Sequence, residues 1–486
     1  MSARTPSISD RSEHFIGGMK VPPAKGRYFP GINPGNGTVI GDFARGCERD
    51  ADAAVASSRM GFSAWRSLEA FERARILYSL AGLVREERER LAYLETLDTG
   101  KPHNVASGEV ETAARYFEYF AGIADKLLSE VIPARNDFLV YTLREPYGVT
   151  LHIVPWNAPL QVVARGTAPA LAAGNSVLVK PAEQTNLTAL ALAELCIRAG
   201  FPAGTFNVAT GFGHELGAAL AKHPGVDKIT FTGSAETGRI VLRAAAEHIT
   251  PVTVELGGKS PILVFGDADI ELAVDETIRA FVGNTGQICV AGTRVYVERS
   301  IEQQFSVRLQ QKLTAVVVAP PGISNPSIGP LISQEQLDRV LNYIDIGRKE
   351  GARLLCGGER LMEEGLEGGY FVGPTVFDRV DDSMRIAREE IFGPVLCLMP
   401  FDTEEEAVRR ANDSEYGLAA YVFTRDVQRS HRLADKLEAG QVQVNAYQPI
   451  GVEAPMGGYK NSGTGREKGL EALRYYSQLK SVTVRK

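Results

Sequence analysis

Apolar and polar positions divide the 486-residue chain into zones with different periods. Residues 1–50 hold no sustained period, and turns at Gly17-Gly18 and Pro30-Gly31-Ile32-Asn33-Pro34 read as short strands and loops. From Arg49 to about Leu128 apolar residues recur at three and four, as in Arg73-Ala74-Arg75-Ile76-Leu77-Tyr78-Ser79-Leu80-Ala81. That spacing predicts several helices of about 12–20 residues. A strand–helix alternation follows. Strands are predicted at 149–154, 176–180, 206–209, 228–231 and 251–255, with helices at about 159–173, 188–199 and 214–222 and another opening near Ser234. Short apolar strands alternating with helices predict an α/β fold with a Rossmann-like, doubly wound parallel sheet. Such sheets bind ligands beyond the carboxyl ends of their strands. A second α/β segment is predicted over about 259–441, with strands at 294–297 and 420–423. Residues 127–144 and the valine-alternating tail 480–485 fall outside both. Alternating edge strands of this kind often pair with another subunit, so a small β oligomerisation element is expected.

Charge and cysteine usage narrow the partners. With 53 basic and 59 acidic residues, the net charge of −6 offers no basic footprint for nucleic acid or an anionic membrane. Cys47, Cys196, Cys289, Cys356 and Cys397 are odd in number, widely spaced and free of C-x-x-C. They read as reduced thiols in a cytoplasmic protein, with no disulfide framework or zinc site. Residues 1–10 are polar, and no run of about 18 apolar residues occurs, so neither export nor membrane insertion is expected.

Within this frame the stretch Phe281-Val282-Gly283-Asn284-Thr285-Gly286-Gln287-Ile288-Cys289 stands out. It sets one thiol in a Gly/Asn-rich loop between an apolar segment and a valine-rich strand. A thiol so placed can attack a carbonyl carbon if its surroundings lower its pKa from about 8.5. Four strand ends of the first sheet carry polar groups that could serve it. Asn157, between Pro155-Trp156 and Ala158-Pro159, can donate to an oxyanion, or it is an ordinary Asx turn. Glu183 in Lys180-Pro181-Ala182-Glu183 sits where such sheets hold a ribose diol, or it merely begins a helix. Phe231-Thr232-Gly233-Ser234 leads a glycine turn into a helix start, a workable pyrophosphate site. It lacks the G-x-G-x-x-G spacing, and Gly211, Gly213 and Gly217 do not supply it. Glu255, before Leu256-Gly257-Gly258, would be pushed by burial toward the pKa of a general base, or it is a surface glutamate.

Together, in this order, these motifs resemble the aldehyde dehydrogenases. The likeness extends through Glu255-Leu256-Gly257-Gly258-Lys259-Ser260-Pro261, Glu389-Glu390-Ile391-Phe392-Gly393-Pro394 and Pro455-Met456-Gly457-Gly458-Tyr459-Lys460-Asn461-Ser462-Gly463. It covers nearly the whole chain. The resemblance implies an NAD(P)-dependent, hydrolytic enzyme that oxidises an aldehyde to its acid. Cys289 would be the nucleophile, Asn157 with the Cys289 N–H would hold the oxyanion, and Glu255 would activate water. It implies cofactor contacts from Val154, Pro155, Trp156, Lys180, Glu183, Gly213, Phe231, Gly233, Ser234, Leu256, Gly257, Glu390 and Phe392. It also implies substrate contacts from Ala158, Gln161, Arg165 and Ile288, and self-association as a homodimer or homotetramer. Residues 1–126 and 146–257 would bind NAD, 258–460 would carry catalysis, and 127–145 with 470–486 would bridge subunits.

Particular residues refine the expectation. Glu255 favours hydrolysis over transfer to coenzyme A, whose users lack a base there. Glu183 favours NAD, because a carboxylate binds a diol and repels a 2′-phosphate, though NADP is possible through Lys180. Ala158 stands where many relatives have Phe or Tyr, which widens the entry channel. Gly166 stands where many have a lysine that, with a glutamate matching Glu467, is thought to relay protons from the base. Without that lysine the relay must run through water or be absent. Arg165 resembles the arginine of relatives that accept carboxylated semialdehydes or hydroxyaldehydes, or is structural. Gly283 stands where succinic semialdehyde enzymes have a second arginine. The rivals are an NADP-preferring semialdehyde enzyme reading a carboxylate through Arg165, a cofactor-free thiol esterase, and a non-catalytic protein that keeps the fold.

Overall fold

The computed structural model describes residues 10–320, 326–448 and 451–486, so most of the polar start of the chain lies outside the described residues. Four helices pack before the first sheet: α1 (Glu48–Arg66), α2 (Ala70–Glu86), α3 (Arg88–Thr99) and α4 (His103–Gly122). All fall in the length range that the three-and-four spacing predicts.

The first sheet is built on five parallel strands, β1 (Val149–Ile153), β2 (Ser176–Lys180), β3 (Phe206–Val208), β4 (Lys228–Gly233) and β5 (Val252–Leu256), in the order β5-β4-β1-β2-β3. Helices α5 (Pro159–Ala172), α6 (Leu187–Ala199) and α7 (Ala235–Ala246) connect them. Alternate residues of β2 serve opposite cores. Val177 and Val179 pack with Trp65, Phe117 and Leu171, while Leu178 packs with Val55, Leu220 and Val241. Both faces are covered, which is why these strands read as unbroken apolar runs. The chain proceeds from β1 to β2 and β3 on one side, then returns to place β4 on the other side of β1. That reversal opens a crevice beyond the carboxyl ends of β1 and β4.

Three short strands complete this sheet: Met19–Val21 pairs antiparallel with His14–Ile16 at one edge, and only Gly463–Thr464, at the other, comes from outside the predicted first domain. Gly463–Thr464 pairs antiparallel with β5, and His14–Ile16 pairs antiparallel with β3. The predicted helix at 214–222 is instead a π turn, Gly213–Gly217, running into one α turn, Ala218–Ala221. Two glycines four residues apart weaken a regular helix there.

The second sheet has seven strands in the order Arg353–Cys356, Thr375–Asp378, Val395–Phe401, Gly292–Glu298, Ser260–Val264, Ala419–Phe423, Gln441–Val444. All pair in parallel except Arg353–Cys356. The Cys289 loop enters this sheet between helix α8 (Ile270–Val282) and strand Gly292–Glu298. A third sheet joins Phe138–Pro146 to Ser477–Arg485 over nine antiparallel pairs, with Val131–Ile132 on the other side. The two segments assigned to bridging thus pair first with each other. Leu139, Leu143, Leu479 and Val484 remain exposed on them, and the outer edge of Ser477–Arg485 has no strand beside it among the described residues.

Candidate active site

A cleft of about 720 Å³ lies where the two large sheets face each other, and Asn157, Glu255 and Cys289 all line it. Asn157 follows β1, Glu255 belongs to β5, and Cys289 comes from the second sheet's loop. The loop is strained into place. Asn284 and Thr285 are consecutive left-handed residues (φ 47° and 57°), a conformation that non-glycine residues adopt at a free-energy penalty. Gly286 (φ 72°) presses on the Gly393 backbone so closely that a Cβ would lie 2.2 Å from its carbonyl carbon. Gln287 secures the turn: its Nε2 donates to the Asn284 carbonyl at 3.1 Å, and its Oε1 accepts from the Ile332 N–H at 2.9 Å.

Asn157 is tied to that loop. Its Nδ2 donates to the Gln287 carbonyl at 2.8 Å, while its own carbonyl accepts from Asn284 Nδ2 at 2.9 Å and Lys101 Nζ at 3.0 Å. Lys101 and Glu95 are buried and Glu109 is half-buried at the cleft, and no signal in the local sequence points to Lys101.

Glu255 is 2% exposed at the cleft wall, and Cys289 is half-buried there. Burial, and after it the Glu255 carboxylate, pushes the Cys289 thiol up to about 12. The surroundings in this structure therefore raise the thiol, and a base must take its proton before it attacks. Burial pushes Glu255 up to about 7, partly offset by Arg165. Neither Glu255 oxygen has a hydrogen-bond partner. A buried, unpartnered carboxylate facing a cleft is unusual enough to mark a functional group.

Arg165 lines the cleft but is 5% exposed and paired inward. Its Nε is 2.5 Å from Glu467 Oε2, its Nη2 donates to Thr232 Oγ1 at 3.1 Å, and Nη2 lies 3.9 Å from Glu255 Oε2. Burial opposes its charge, and Glu467 and Glu255 more than offset this, raising its pKa. Ala158, Gln161 and Ile288 line the same cleft, joined by Gln441, Gln443 and Met456, which the sequence did not single out.

At the cleft's other end Pro155, Trp156, Gly233, Ser234, Gly257, Glu390 and Phe392 form the wall. Ser234 caps α7, its Oγ accepting from the Thr237 N–H at 3.2 Å. Trp156 meets Phe392 edge to face at 5.2 Å, so one aromatic ring comes from each large sheet. Glu390 Oε1 accepts from the Gly258 N–H at 3.0 Å, and a Cβ on Gly257 would lie 2.0 Å from Oε2. Glycine at 257 therefore leaves Glu390 its place. Val154, Phe231 and Leu256 are buried at the strand ends behind this wall. Lys180, Glu183 and Gly213 stand one strand further along, off the cleft wall, with Lys180 Nζ 3.5 Å from Glu183 Oε2.

The family is settled by comparison. The sequence pattern of the aldehyde dehydrogenase family matches residues 21–482. An aldehyde dehydrogenase from Bacillus cereus is 44% identical, superposes with a TM-score of 0.96, and is matched over 98% of this chain and 96% of that one. Indole-3-acetaldehyde dehydrogenase of P. syringae, solved with NAD+ and IAA, is 41% identical with a TM-score of 0.97, over 99% and 98%. Betaine aldehyde dehydrogenase from Staphylococcus aureus, solved with NAD+, is 39% identical with a TM-score of 0.96, over 98% and 94%. The chain belongs to the aldehyde dehydrogenase family. It is an enzyme, an NAD(P)-dependent aldehyde dehydrogenase. Among the described residues no helix is long and apolar enough to cross a membrane.

Proposed function

We propose that this protein oxidises an uncharged aldehyde to its carboxylic acid with NAD, through a thioester on Cys289 that a Glu255-activated water hydrolyses. The observation that carries this reading is the meeting of Cys289, Asn157 and a Glu255 without a hydrogen-bond partner in one cleft. Glu255 takes the Cys289 proton and the sulfur adds to the aldehyde carbon as the C=O π bond opens to an oxyanion, giving a thiohemiacetal, and Glu255 releases that proton to solvent before hydrolysis. The second N–H of the Asn157 amide and the Cys289 backbone N–H are the donors for the oxyanion. After oxidation, water adds to the thioester carbon, Glu255 takes its proton, and the C–S bond breaks to release the acid.

The wall from Trp156 to Phe392 fits a dinucleotide. A capped helix N-terminus offers free N–H groups for a pyrophosphate, and Glu390, held by Gly258 and cleared by Gly257, can accept from a ribose diol. Lys180 and Glu183 would take the adenosine ribose, with Gly213 nearby. NAD supplies a hydride acceptor when bound. Two of the similar structures hold NAD+, which supports NAD for this chain. The NADP-preferring semialdehyde reading has less support, because the Arg165 guanidinium it needs is already paired with Glu467. We further propose a nucleotide-binding unit from 1–126 and 146–257, a catalytic unit from 258–460, and a cytoplasmic homodimer or homotetramer bridged through Phe138–Pro146 and Ser477–Arg485.

Glu255→Gln tests the hydrolytic role. The variant should release a burst of NADH equal to its active sites and then stall as the thioester, while Cys289→Ala should show no burst. Steady turnover by Glu255→Gln would remove Glu255 from the mechanism. A panel of aldehydes run with NAD and with NADP reads the substrate and the cofactor preference.

A further inference from the structure

Behind the cleft, two carboxylates share one cation. Glu255 and Glu467 are 2% and 1% exposed, and Arg165 lies between them. Its Nε faces Glu467 Oε2, its Nη2 reaches Thr232 Oγ1 and approaches Glu255 Oε2, and its Nη1 faces Met456 Sδ at 3.8 Å. All three guanidinium nitrogens thus have neighbours within the protein. Thr232 pairs with Glu255 across β4 and β5, so the strand beside the base also anchors the arginine. The adjacent position cannot bring a second cation cheaply: a Cβ on Gly166 would lie 2.8 Å from His152 Nδ1.

We infer that Arg165 is a positioning residue for thioester hydrolysis, anchored by Glu467 so that its guanidinium steadies and compensates the Glu255 carboxylate, and that it does not read a substrate carboxylate. This rests on Glu255 being the hydrolytic base. The arithmetic of charge explains the arrangement. Glu467 takes the close contact and makes a neutral pair with Arg165. Glu255 receives the same cation at longer range, so its charge is eased but not quenched. When water adds to the thioester and Glu255 takes the proton, the negative charge passes to the tetrahedral oxyanion and then to the Cys289 thiolate as the C–S bond breaks, while the Arg165–Glu467 pair stays neutral throughout. A close Arg165–Glu255 pair would hold the carboxylate ionised and make it a poor base. With no cation, burial would keep it protonated.

The groups that act on Glu255 are Arg165 from α5, Glu467, Arg466 and Lys468 from the loop after Gly463–Thr464, and Cys289 across the cleft. Removing Arg165 takes away an attractive charge and leaves Glu467 repelling, so the Glu255 pKa must rise. Neutralising Glu467 removes that repulsion and frees Arg165 for Glu255, so it must fall. A residue that only fills space would not produce opposite shifts from the two ends of one ion pair.

The test follows acyl-enzyme decay directly. Enzyme is acylated with a short uncharged aldehyde and NAD, and the thioester is followed by intact-protein mass spectrometry from about pH 5 to 9. Arg165→Met should move the acid limb of decay up by about one pH unit or more, Glu467→Gln should move it down, and Arg165→Lys should recover part of the loss. KM values for an uncharged and an ω-carboxylated aldehyde of equal length should change together in Arg165→Met. Limbs that stay put or move the same way overturn the inference. So does a KM that rises tenfold more for the carboxylated aldehyde, which would make Arg165 a substrate reader. Thermal unfolding checks each variant. If Arg165→Met does not fold, the Glu467→Gln limb decides alone, and an unmoved or upward limb overturns the role. Glu255→Gln run in parallel separates the two assignments: decay at the wild-type rate there refutes the base and the arginine's role with it, whereas a stalled Glu255→Gln beside unmoved limbs in the other variants refutes the arginine alone.

Discussion

Two buried clusters in this enzyme are each made of two glutamates and one cation, and they have different tasks. In the first, Lys101 Nζ lies 2.5 Å from Glu109 and 3.5 Å from Glu95, and donates to the Asn157 carbonyl. Burial pushes Glu95 up, and its Oε2 accepts from the Leu160 N–H at 3.4 Å. Each charged group there has a partner. In the second, Arg165 and Glu467 form a close ion pair whose facing Nε and Oε2 are not aligned as a hydrogen bond, both Glu255 oxygens lack a hydrogen bond, and Glu255 lines the cleft. The first cluster is a brace, holding the segment that carries Asn157, the proposed oxyanion donor. The second leaves both Glu255 oxygens without a hydrogen bond, the condition that the proposed general base requires. Composition does not distinguish them; satisfaction of the lone pairs does.

Substitutions can break this contrast. Lys101→Met should have the largest effect on stability, because it strands Glu109 and Glu95 without a cation. A loss of about 3–5 kcal/mol is expected, read as a fall in the thermal midpoint. A loss below 1 kcal/mol would show that the brace is not needed. Glu255→Gln should act oppositely. The folded pKa of about 7 lies above the ordinary 4.5, so the native state holds this proton more tightly than the unfolded chain. Wild-type stability conferred by the neutral form is then complete below about pH 4.5 and is lost as pH rises through about 7. The glutamine variant escapes that loss, and should exceed wild type by up to about 3 kcal/mol at pH 8 and match it in acid. Equal midpoints at pH 8 would mean that Glu255 is not strained by burial. The smallest change is Thr232→Val, which removes one hydrogen bond to Arg165. About 1–2 kcal/mol should be lost, with modest slowing of acyl-enzyme decay.

The brace and the base also differ in how far they were legible in the chain. Glu255 announced itself at a strand end before Gly257-Gly258, and Cys289 by its glycine-rich loop. Lys101 had no such mark, because its role comes from reaching Asn157, 56 positions away. Arg165 was legible as a cleft residue beside Gly166. Glu467 was named only as the relay glutamate that goes with position 166; its pairing with Arg165 was not legible, because it lies about 300 residues on, on a loop that returns to the first sheet beside β5. Element edges shifted by a residue or two where ladder pairing, rather than local pattern, set them, as when β4 extended to Gly233 beside Leu256. The tail strand was read correctly as an edge strand, and its first neighbour proved to be Phe138–Pro146 of the same chain.

The sequence by itself determined the alternation that builds a doubly wound sheet, because apolar periodicity and glycine turns are local properties of the chain. Its motifs also carried the family, and they singled out Cys289, Asn157 and Glu255, which the structure brings to one cleft. Only the tertiary structure decided which carboxylate is paired and which is left open. That depends on where distant segments converge: the Arg165 guanidinium stands 2.5 Å from Glu467 and 3.9 Å from Glu255, and no local pattern in the chain sets those distances.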